Sequence, residues 1–365
     1  MKLTFLGATR TVTGSKYWLS IGHKNYLVDC GLFQGPPELE DLNWNHLPIN
    51  PREIDAVILT HAHIDHSGYL PRLVKNGFEG PIYASEATCA LVSLLLPDSG
   101  FLQEEQASFA NKKGYSRHKP ALPLYTYDDA LRALKLLKPI KINQPFTLDE
   151  QLTVKMHPAG HILGSTFLEC DISEANRKFK LVFSGDIGRY DPEILEVMRP
   201  PVSISQADYL IVESTYGNRE HSKEPLEDRL AEMVNQAAER GGALLIPSFA
   251  IGRSQQMLYY LRELQDKQKI SDIPVYLDSP MGADATQIYS QFSDDPNLNP
   301  ELINDPAAER TGYDRDAGFR SRRTAAGNRT PRDSSIGMAF CYVANRHTSR
   351  DRVTNRKNSM LCPVL

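Results

Sequence analysis

Cysteine is scarce in this chain and poorly placed for cross-linking. Cys30, Cys89, Cys170, Cys341 and Cys362 are scattered, and no pair has CxxC spacing, which argues against a disulfide framework. Long apolar runs are lacking too, since no uninterrupted stretch approaches the roughly 18 residues of a membrane span. Met1 to Leu6 lead straight into a strand-like pattern without the apolar core of a secretory signal. The expectation is a soluble, cytoplasmic protein with no membrane contact. Charge of one sign is also missing: a formal net charge of -4 gives no global attraction for nucleic acid, so any such binding needs a local basic groove.

What is present suffices for two domains, because 365 residues at 41% hydrophobic content can bury one large core or two medium ones. Short β-rich runs fill the first half: Leu3 to Leu6, Lys16 to Ser20, Tyr26 to Asp29, Ala56 to Thr60 and Pro81 to Ala84. Helices are expected after Ser67, from Ser85 to Leu96, and from Tyr127 to Leu137, and strands resume at Leu152 to His157, Ser165 to Asp171 and Lys180 to Ser184. From Ala207 the pattern becomes an α/β alternation: strand Tyr209 to Glu213, helix Pro225 to Arg240, strand Ala243 to Pro247, helix Arg253 to Lys267, strand Val275 to Asp278. That alternation reads as a second, doubly wound unit. The domains are therefore set at 1–205, 206–306 and a tail, 307–365.

The tail differs from everything before it. It holds eleven arginines and one lysine, few aliphatic residues, and neither helical nor sustained strand periodicity. Two readings fit: a disordered basic tail that contacts nucleic acid, or an aberrant segment produced by a frameshift after about Pro306. The second is favoured, because histidines needed below are missing from this region.

Chemistry concentrates in Leu59-Thr60-His61-Ala62-His63-Ile64-Asp65-His66-Ser67-Gly68. In an extended chain His61 and His63 point the same way and offer one metal two imidazoles, and the following turn presents Asp65 and His66 to a second. Histidines satisfied by backbone groups at a strand end would leave this clustering unexplained. Two Gly-flanked turns supply further donors: His161 in Pro158-Ala159-Gly160-His161-Ile162-Leu163-Gly164, and Asp186 in Ser184-Gly185-Asp186-Ile187-Gly188. Taken alone, each such turn is more often structural. Asp29, in Val28-Asp29-Cys30-Gly31, is placed either as a turn former or as an acceptor that orients a ligand or the attacking water.

With these motifs in view, the sequence resembles the metallo-β-lactamase superfamily, and specifically its β-CASP branch of RNA-processing nucleases, over roughly residues 1 to 300. The opening Gly7-Ala8-Thr9-Arg10-Thr11-Val12-Thr13-Gly14-Ser15 is similar to bacterial and archaeal CPSF-like members. Glu213-Ser214-Thr215-Tyr216-Gly217 matches the acidic motif A of the branch. Ile246-Pro247-Ser248-Phe249-Ala250-Ile251-Gly252-Arg253 and Leu277-Asp278-Ser279-Pro280-Met281 are typical of its inserted domain.

The resemblance implies an α/β fold: a metallo-β-lactamase αββα sandwich with an inserted, here incomplete, β-CASP α/β domain. It implies two zinc ions, one held by His61, His63 and His161, the other by Asp65 and His66, with Asp186 bridging. Asp65, Asp29 and Glu213 would form the catalytic apparatus, Glu213 by positioning a histidine, and Ser248, Arg253 and Ser279 would line an RNA cleft. The implied activity is zinc-dependent hydrolysis of RNA phosphodiesters, as endonuclease, 5′ exonuclease or both, on single-stranded RNA. A homodimer stays open.

The sequence departs from the branch after the insert, where two more histidines are implied. Only His221 and His347 follow His161, and His347 lacks a Gly-rich approach. The second ion would then be held more loosely, and no residue is evident to protonate the departing ribose oxygen, so weak or absent turnover is expected. Competing readings are a hydrolase of DNA or of a small ester or thioester, and a non-catalytic RNA-binding scaffold.

Overall fold

The computed structural model describes residues 1–116, 118–174, 177–190, 197–220, 226–271, 273–299, 338–344 and 359–361. Two compact units divide the chain. The first comprises Met1–Ile194, Met198–Thr215 and Asp295–Asn297. It therefore runs past the expected boundary at 205, and the reason lies in the strand at Tyr209.

In the first unit, β1 (Lys2–Phe5), β2 (Tyr17–Ile21) and β3 (Lys24–Val28) form a meander. The chain then passes α1 (Pro37–Glu40), β4 (Ala56–Ile58), α2 (Ile64–Ser67), α3 (Leu70–Lys75), β5 (Ile82–Ser85), α4 (Glu86–Lys113), α5 (Tyr127–Leu134) and β6 (Leu137–Ile140). These six strands make one sheet in chain order, with β3 to β6 parallel. β7 (Pro145–Asp149), β8 (Leu152–Pro158), β9 (Thr166–Glu174), β10 (Arg177–Phe183) and β11 (Tyr209–Ile211) make the second. Alternation decides how the sheets face. Along β8, Leu152, Val154 and Met156 are buried while the residues between them are only partly so, and this apolar stripe meets Leu19, Ile21, Val28 and Ile58 of the first sheet.

Tyr209 to Ile211 were expected to open the second unit. Instead β11 pairs in parallel with β10, Leu181 opposite Tyr209, and forms an edge of the second sheet with Tyr209 and Leu210 exposed. Periodicity cannot say which of two sheets a three-residue strand joins. Between β7 and β11 the described residues contain no helix.

α4 also departs from expectation, continuing past Pro97 to Lys113. Its buried side, Leu91, Val92, Leu95, Leu96, Ser99 and Leu102, carries on across the proline. That burial outweighs one lost backbone hydrogen bond. α5 follows the expected start, where Thr126 and Asp129 form a capping box, but ends at Leu134 because β6 begins at Leu137.

The second unit comprises Leu195–Val197, Tyr216–Asp294 and Leu298–Leu365. It contains α6 (Leu226–Glu239), β12 (Ala243–Phe249), α7 (Arg253–Asp266), β13 (Val275–Leu277), α8 (Pro280–Gln291), β14 (Met338–Ala344) and β15 (Ser359–Leu361). Leu230 and Val234 of α6, Leu244 and Ile246 of β12, and Leu258, Leu261 and Leu264 of α7 share one core. The sheet order is β13-β14-β12-β15. Within the expected tail 307–365, β14 pairs antiparallel with both β12 and β13, and β15 pairs parallel with β12, so these two segments are ordered strands. Met338 to Ala344 is the most apolar stretch of that region, and sheet pairing gives it a place that composition alone did not reveal. The remainder of 307–365, with His221 and His347, lies outside the described residues.

Candidate metal centre

Strand ends build the site. β3 and β4 are buried parallel neighbours, and the residues just beyond them, Asp29 and Thr60, lock together. Asp29 Oδ1 accepts from Thr60 N at 2.7 Å and its Oδ2 from Thr60 Oγ1 at 2.9 Å. Asp29 adopts a left-handed backbone, φ 57°, which turns the chain towards Gly31. A Cβ on Gly31 would lie 1.6 Å from the carbonyl oxygen of Asp65, so only glycine lets this loop lie against the turn that carries Asp65 and His66. Backbone bonds complete the brace: Cys30 N donates to His66 O at 2.7 Å and Ser15 N to Asp65 O at 2.9 Å.

His61, His63, His161 and Asp186 converge so that one ligand atom from each lies within 4.8 Å of all the others. His61 Nε2 and His161 Nε2 each stand 3.1 Å from His63 Nδ1. Nitrogens about 2.0–2.1 Å from a tetrahedral ion are separated by about 3.3 Å, so the cluster already has nearly the spacing of a ligand set. Asp186 divides its oxygens. Oδ2 faces His61 at 3.7 Å and His161 at 3.5 Å, while Oδ1 faces His66 Nε2 at 3.2 Å. Asp65 Oδ2 stands 3.8 Å from the same His66 nitrogen. Donors for two adjacent positions therefore meet at one carboxylate.

The electrostatics sort these groups. Burial, reinforced by the neighbouring imidazoles, holds His61 well below its ordinary range and His63 down to about 4. Both keep lone pairs free at neutral pH, as metal ligation requires. For His66 burial works against the charge, but Asp186 and Asp29 outweigh it and hold the imidazole well above its usual value. Burial likewise opposes ionisation of Asp186, and His66, with help from His61 and His161, overrides it and keeps the carboxyl well below its usual range. The residues present fit one cation among the imidazoles and, once a cation displaces the proton that Asp186 and Asp29 hold on His66, a second beside Asp65 and His66.

Asp29 sits behind this set. Its Oδ2 accepts from His66 Nδ1 at 2.8 Å, which fixes the ring and aims Nε2 at the cluster. Glu213 holds two backbone amides. Its Oε1 accepts from Ile187 N at 3.2 Å and its Oε2 from Thr215 N at 3.1 Å. It thereby steadies the Asp186 turn, and no described histidine bonds to it.

Asn297 was missed by sequence reasoning. It is fully buried and its Oδ1 accepts from Gly160 N at 2.9 Å and Ser165 Oγ at 3.3 Å, closing both ends of the turn that carries His161. Gly160 itself needs φ +69°, and a Cβ there would lie 2.2 Å from Arg199 O. Gly188 N donates to Ala159 O at 2.8 Å, stitching the Asp186 turn to the same loop. No local signal marks an asparagine whose partner is 137 positions away.

The remaining candidates lie in the second unit. Ser248 is buried, and its Oγ has no hydrogen-bond partner among the described residues. Arg253 begins α7, its Nη1 donating to Gln256 Oε1 at 2.9 Å. Ser279 caps α8 by accepting from Gly282 N at 3.0 Å. Gln255 Nε2 reaches from α7 to Thr286 Oγ1 of α8 at 3.0 Å, holding these two helix starts together.

A Beta-lactamase superfamily domain matches residues 24–248 and a Beta-Casp domain matches residues 254–334, so the chain belongs to the metallo-β-lactamase superfamily and carries a Beta-Casp domain. The second match runs past the break expected near Pro306. Among individual proteins, the chain is similar to Ribonuclease TTHA0252 of Thermus thermophilus, with 35% identity over 80% of this chain and 61% of that one. It is also similar to Transcription termination factor FttA of Methanocaldococcus jannaschii, 31% identical over 80% of this chain and 44% of that one. The chain thus spans only part of the length of these relatives. Half of it also overlaps 58% of BJP-1, a subclass B3 metallo-beta-lactamase of Bradyrhizobium japonicum, at a TM-score of 0.31 and 19% identity.

Proposed function

We propose that this chain holds the metal centre of a zinc-dependent RNA phosphodiester hydrolase. The observation that carries the reading is the split of Asp186 between the His61, His63, His161 trio and His66. Imidazole nitrogen with carboxylate oxygen at near-tetrahedral spacing suits zinc, and two neighbouring ions there supply Lewis acidity and water activation at neutral pH. The chain's own residues do the rest. Asp29 orients His66, Glu213 and Asn297 hold the turns that carry Asp186 and His161, and Asp65 faces the second position. Ser248, Arg253 and Ser279 contact RNA phosphates in the second unit. RNA is favoured over a small ester because the chain carries a Beta-Casp domain and resembles a protein named ribonuclease.

The chain by itself turns RNA over slowly, because only His221 and His347 follow His161 and neither has the setting of a residue that protonates the leaving oxygen. The test combines zinc analysis with cleavage of a short labelled single-stranded RNA. Bound zinc that is lost in His61→Ala, together with slow cleavage abolished by Asp65→Ala, is the expected result. A chain that neither binds zinc nor cuts or binds RNA would overturn the reading.

A further inference from the structure

A cavity of about 280 Å³ opens beside the metal cluster, its lining including Asp29, His66, Asp186, Glu213, Ala8 and Arg10. Every carboxylate in that lining is already engaged. Asp29 is bonded to Thr60 and His66, Asp186 faces His66, and Glu213 accepts from Ile187 N and Thr215 N. Arg10 is the one permanent cation among the lining residues. It makes no hydrogen bond or ion pair with any described residue.

Arg10 is also held in an unusual way. Its backbone lies in the left-handed region, φ 64°, as does that of Ala8, φ 51°, where residues with a Cβ are uncommon. The loop is nevertheless pinned. Thr9 Oγ1 donates to Gly7 O at 3.2 Å and Thr11 Oγ1 to Thr13 O at 3.3 Å, while Thr13 Oγ1 and Gln34 exchange two bonds of 2.9 Å. Gly14 packs on the Phe33 ring with no room for a Cβ. Backbone strain at an exposed arginine gains the fold no packing, and strain of this kind clusters where a side chain must be presented to a ligand.

We infer that Arg10 is a phosphate-recognising residue of the cavity, which takes one non-bridging oxygen of a nucleic-acid phosphodiester beside the metal cluster. The proposal rests on the function proposed above and deepens it by naming how the substrate's charge is met in a chain of net negative charge. A guanidinium presents a planar fork that matches two phosphate oxygens. A phosphodiester has two non-bridging oxygens, so one remains for a cation even when the other is turned to the metal position. A lactam or thioester carbonyl has no second oxygen to offer. Arg10 therefore selects for phosphate within a site whose histidines and aspartates are indifferent between these substrates.

The test measures binding of a fluorescein-labelled 12-nucleotide single-stranded RNA to the zinc-supplemented full chain by anisotropy, across a series of KCl concentrations. Removing one phosphate contact from a single strand lowers the slope of log K against log salt by about 0.7. Arg10→Gln is expected to lose that slope increment and at least about tenfold in affinity at low salt. Arg10→Lys is expected to keep the slope with a smaller loss of affinity, because an ammonium retains the charge without the fork. Lys138→Gln, which removes an exposed charge on β6, is expected to change neither. RNA binding by the wild type with an unchanged slope in Arg10→Gln overturns the role of Arg10 alone, as does an equal loss in Lys138→Gln. Absence of RNA binding by the wild type overturns Arg10 and the proposed function together.

Discussion

The metal cluster of the first unit and the end of β12 in the second differ in how their buried polar groups are satisfied. In the first, the side chains that brace the cluster each have partners: Asp29 serves Thr60 and His66, Asn297 serves Gly160 and Ser165, and Glu213 serves two backbone amides. In the second, Ser248 Oγ is buried with no described partner, at the end of a strand whose next residue, Phe249, is largely exposed. Bonded braces on Asp186, His66 and the His161 turn make the cluster a rigid holder for small cations. An orphaned hydroxyl suits a surface that completes its bonding only when something binds.

The most severe way to break this contrast is to remove a donor from the cluster. His161→Ala leaves His61 and His63 without their third imidazole, and zinc measured by elemental analysis after dialysis is expected to fall to near zero. Ser279→Ala, in the second unit, is expected to leave zinc content unchanged. Equal zinc in both variants would erase the distinction between the units.

Asn297 sharpens the contrast, because it acts on the metal only through the His161 turn. Asn297→Ala leaves the amide of Gly160 buried and unpaired, a loss of about 1–3 kcal/mol. Loss of such outer partners weakens metal binding by about 10- to 100-fold. Zinc affinity measured by chelator competition is expected to drop within that range, while Asn297→Asp, which keeps an acceptor, recovers part of it. Lower thermal stability with unchanged zinc affinity would reduce Asn297 to a packing residue.

Lys16 tests whether rigidity in the first unit also carries a cost. Its ammonium is buried, donates to Gly31 O and lies 4.5 and 4.9 Å from the centroids of the Phe33 and Tyr69 rings. Burial lowers its pKa from 10.5 to about 8, against the opposing pull of Cys30. Because the folded value is depressed, the folded state is penalised most below pH 8, and the penalty fades as pH rises from 8 to 10.5. That shift corresponds to about 3 kcal/mol. Lys16→Met is therefore expected to unfold at higher denaturant at pH 7, with its advantage over the wild type shrinking towards pH 10. A pH-independent difference would show that the charge is not the cause.

The smallest expected effect belongs to Ser248. Ser248→Ala removes an unpaired buried hydroxyl, so stability is expected to hold or rise by about 1 kcal/mol, while affinity for single-stranded RNA weakens. A clear loss of stability would mean that Ser248 already has a partner, and the contrast between the units would disappear.

Much of this was legible before any coordinates. His61, His63, Asp65 and His66 lie in one short run because a strand end and a single turn can present them together. Asp29 and Asp186 follow buried strands, and the helix starts at Tyr127 and Arg253 carry local capping and turn signals. Other features were not. β11 joined the first unit because three residues of strand take whichever sheet offers a free edge beside them, and Pro97 failed to end α4 because its neighbours on the buried side continued to pack. Met338 to Ala344 looked like part of a tail because strand partners, not periodicity, place it.

The identity of the donors and the kind of unit that carries them can be read from residue order, since ligand chemistry and short-range spacing are properties of neighbouring residues. Only the tertiary structure decided that His161 and Asp186 reach the same point as His61, that Asn297 clamps the turn between them, and that Arg10 faces the cavity. Those relations join residues far apart along the chain, and packing of the sheets, not local preference, sets their distances.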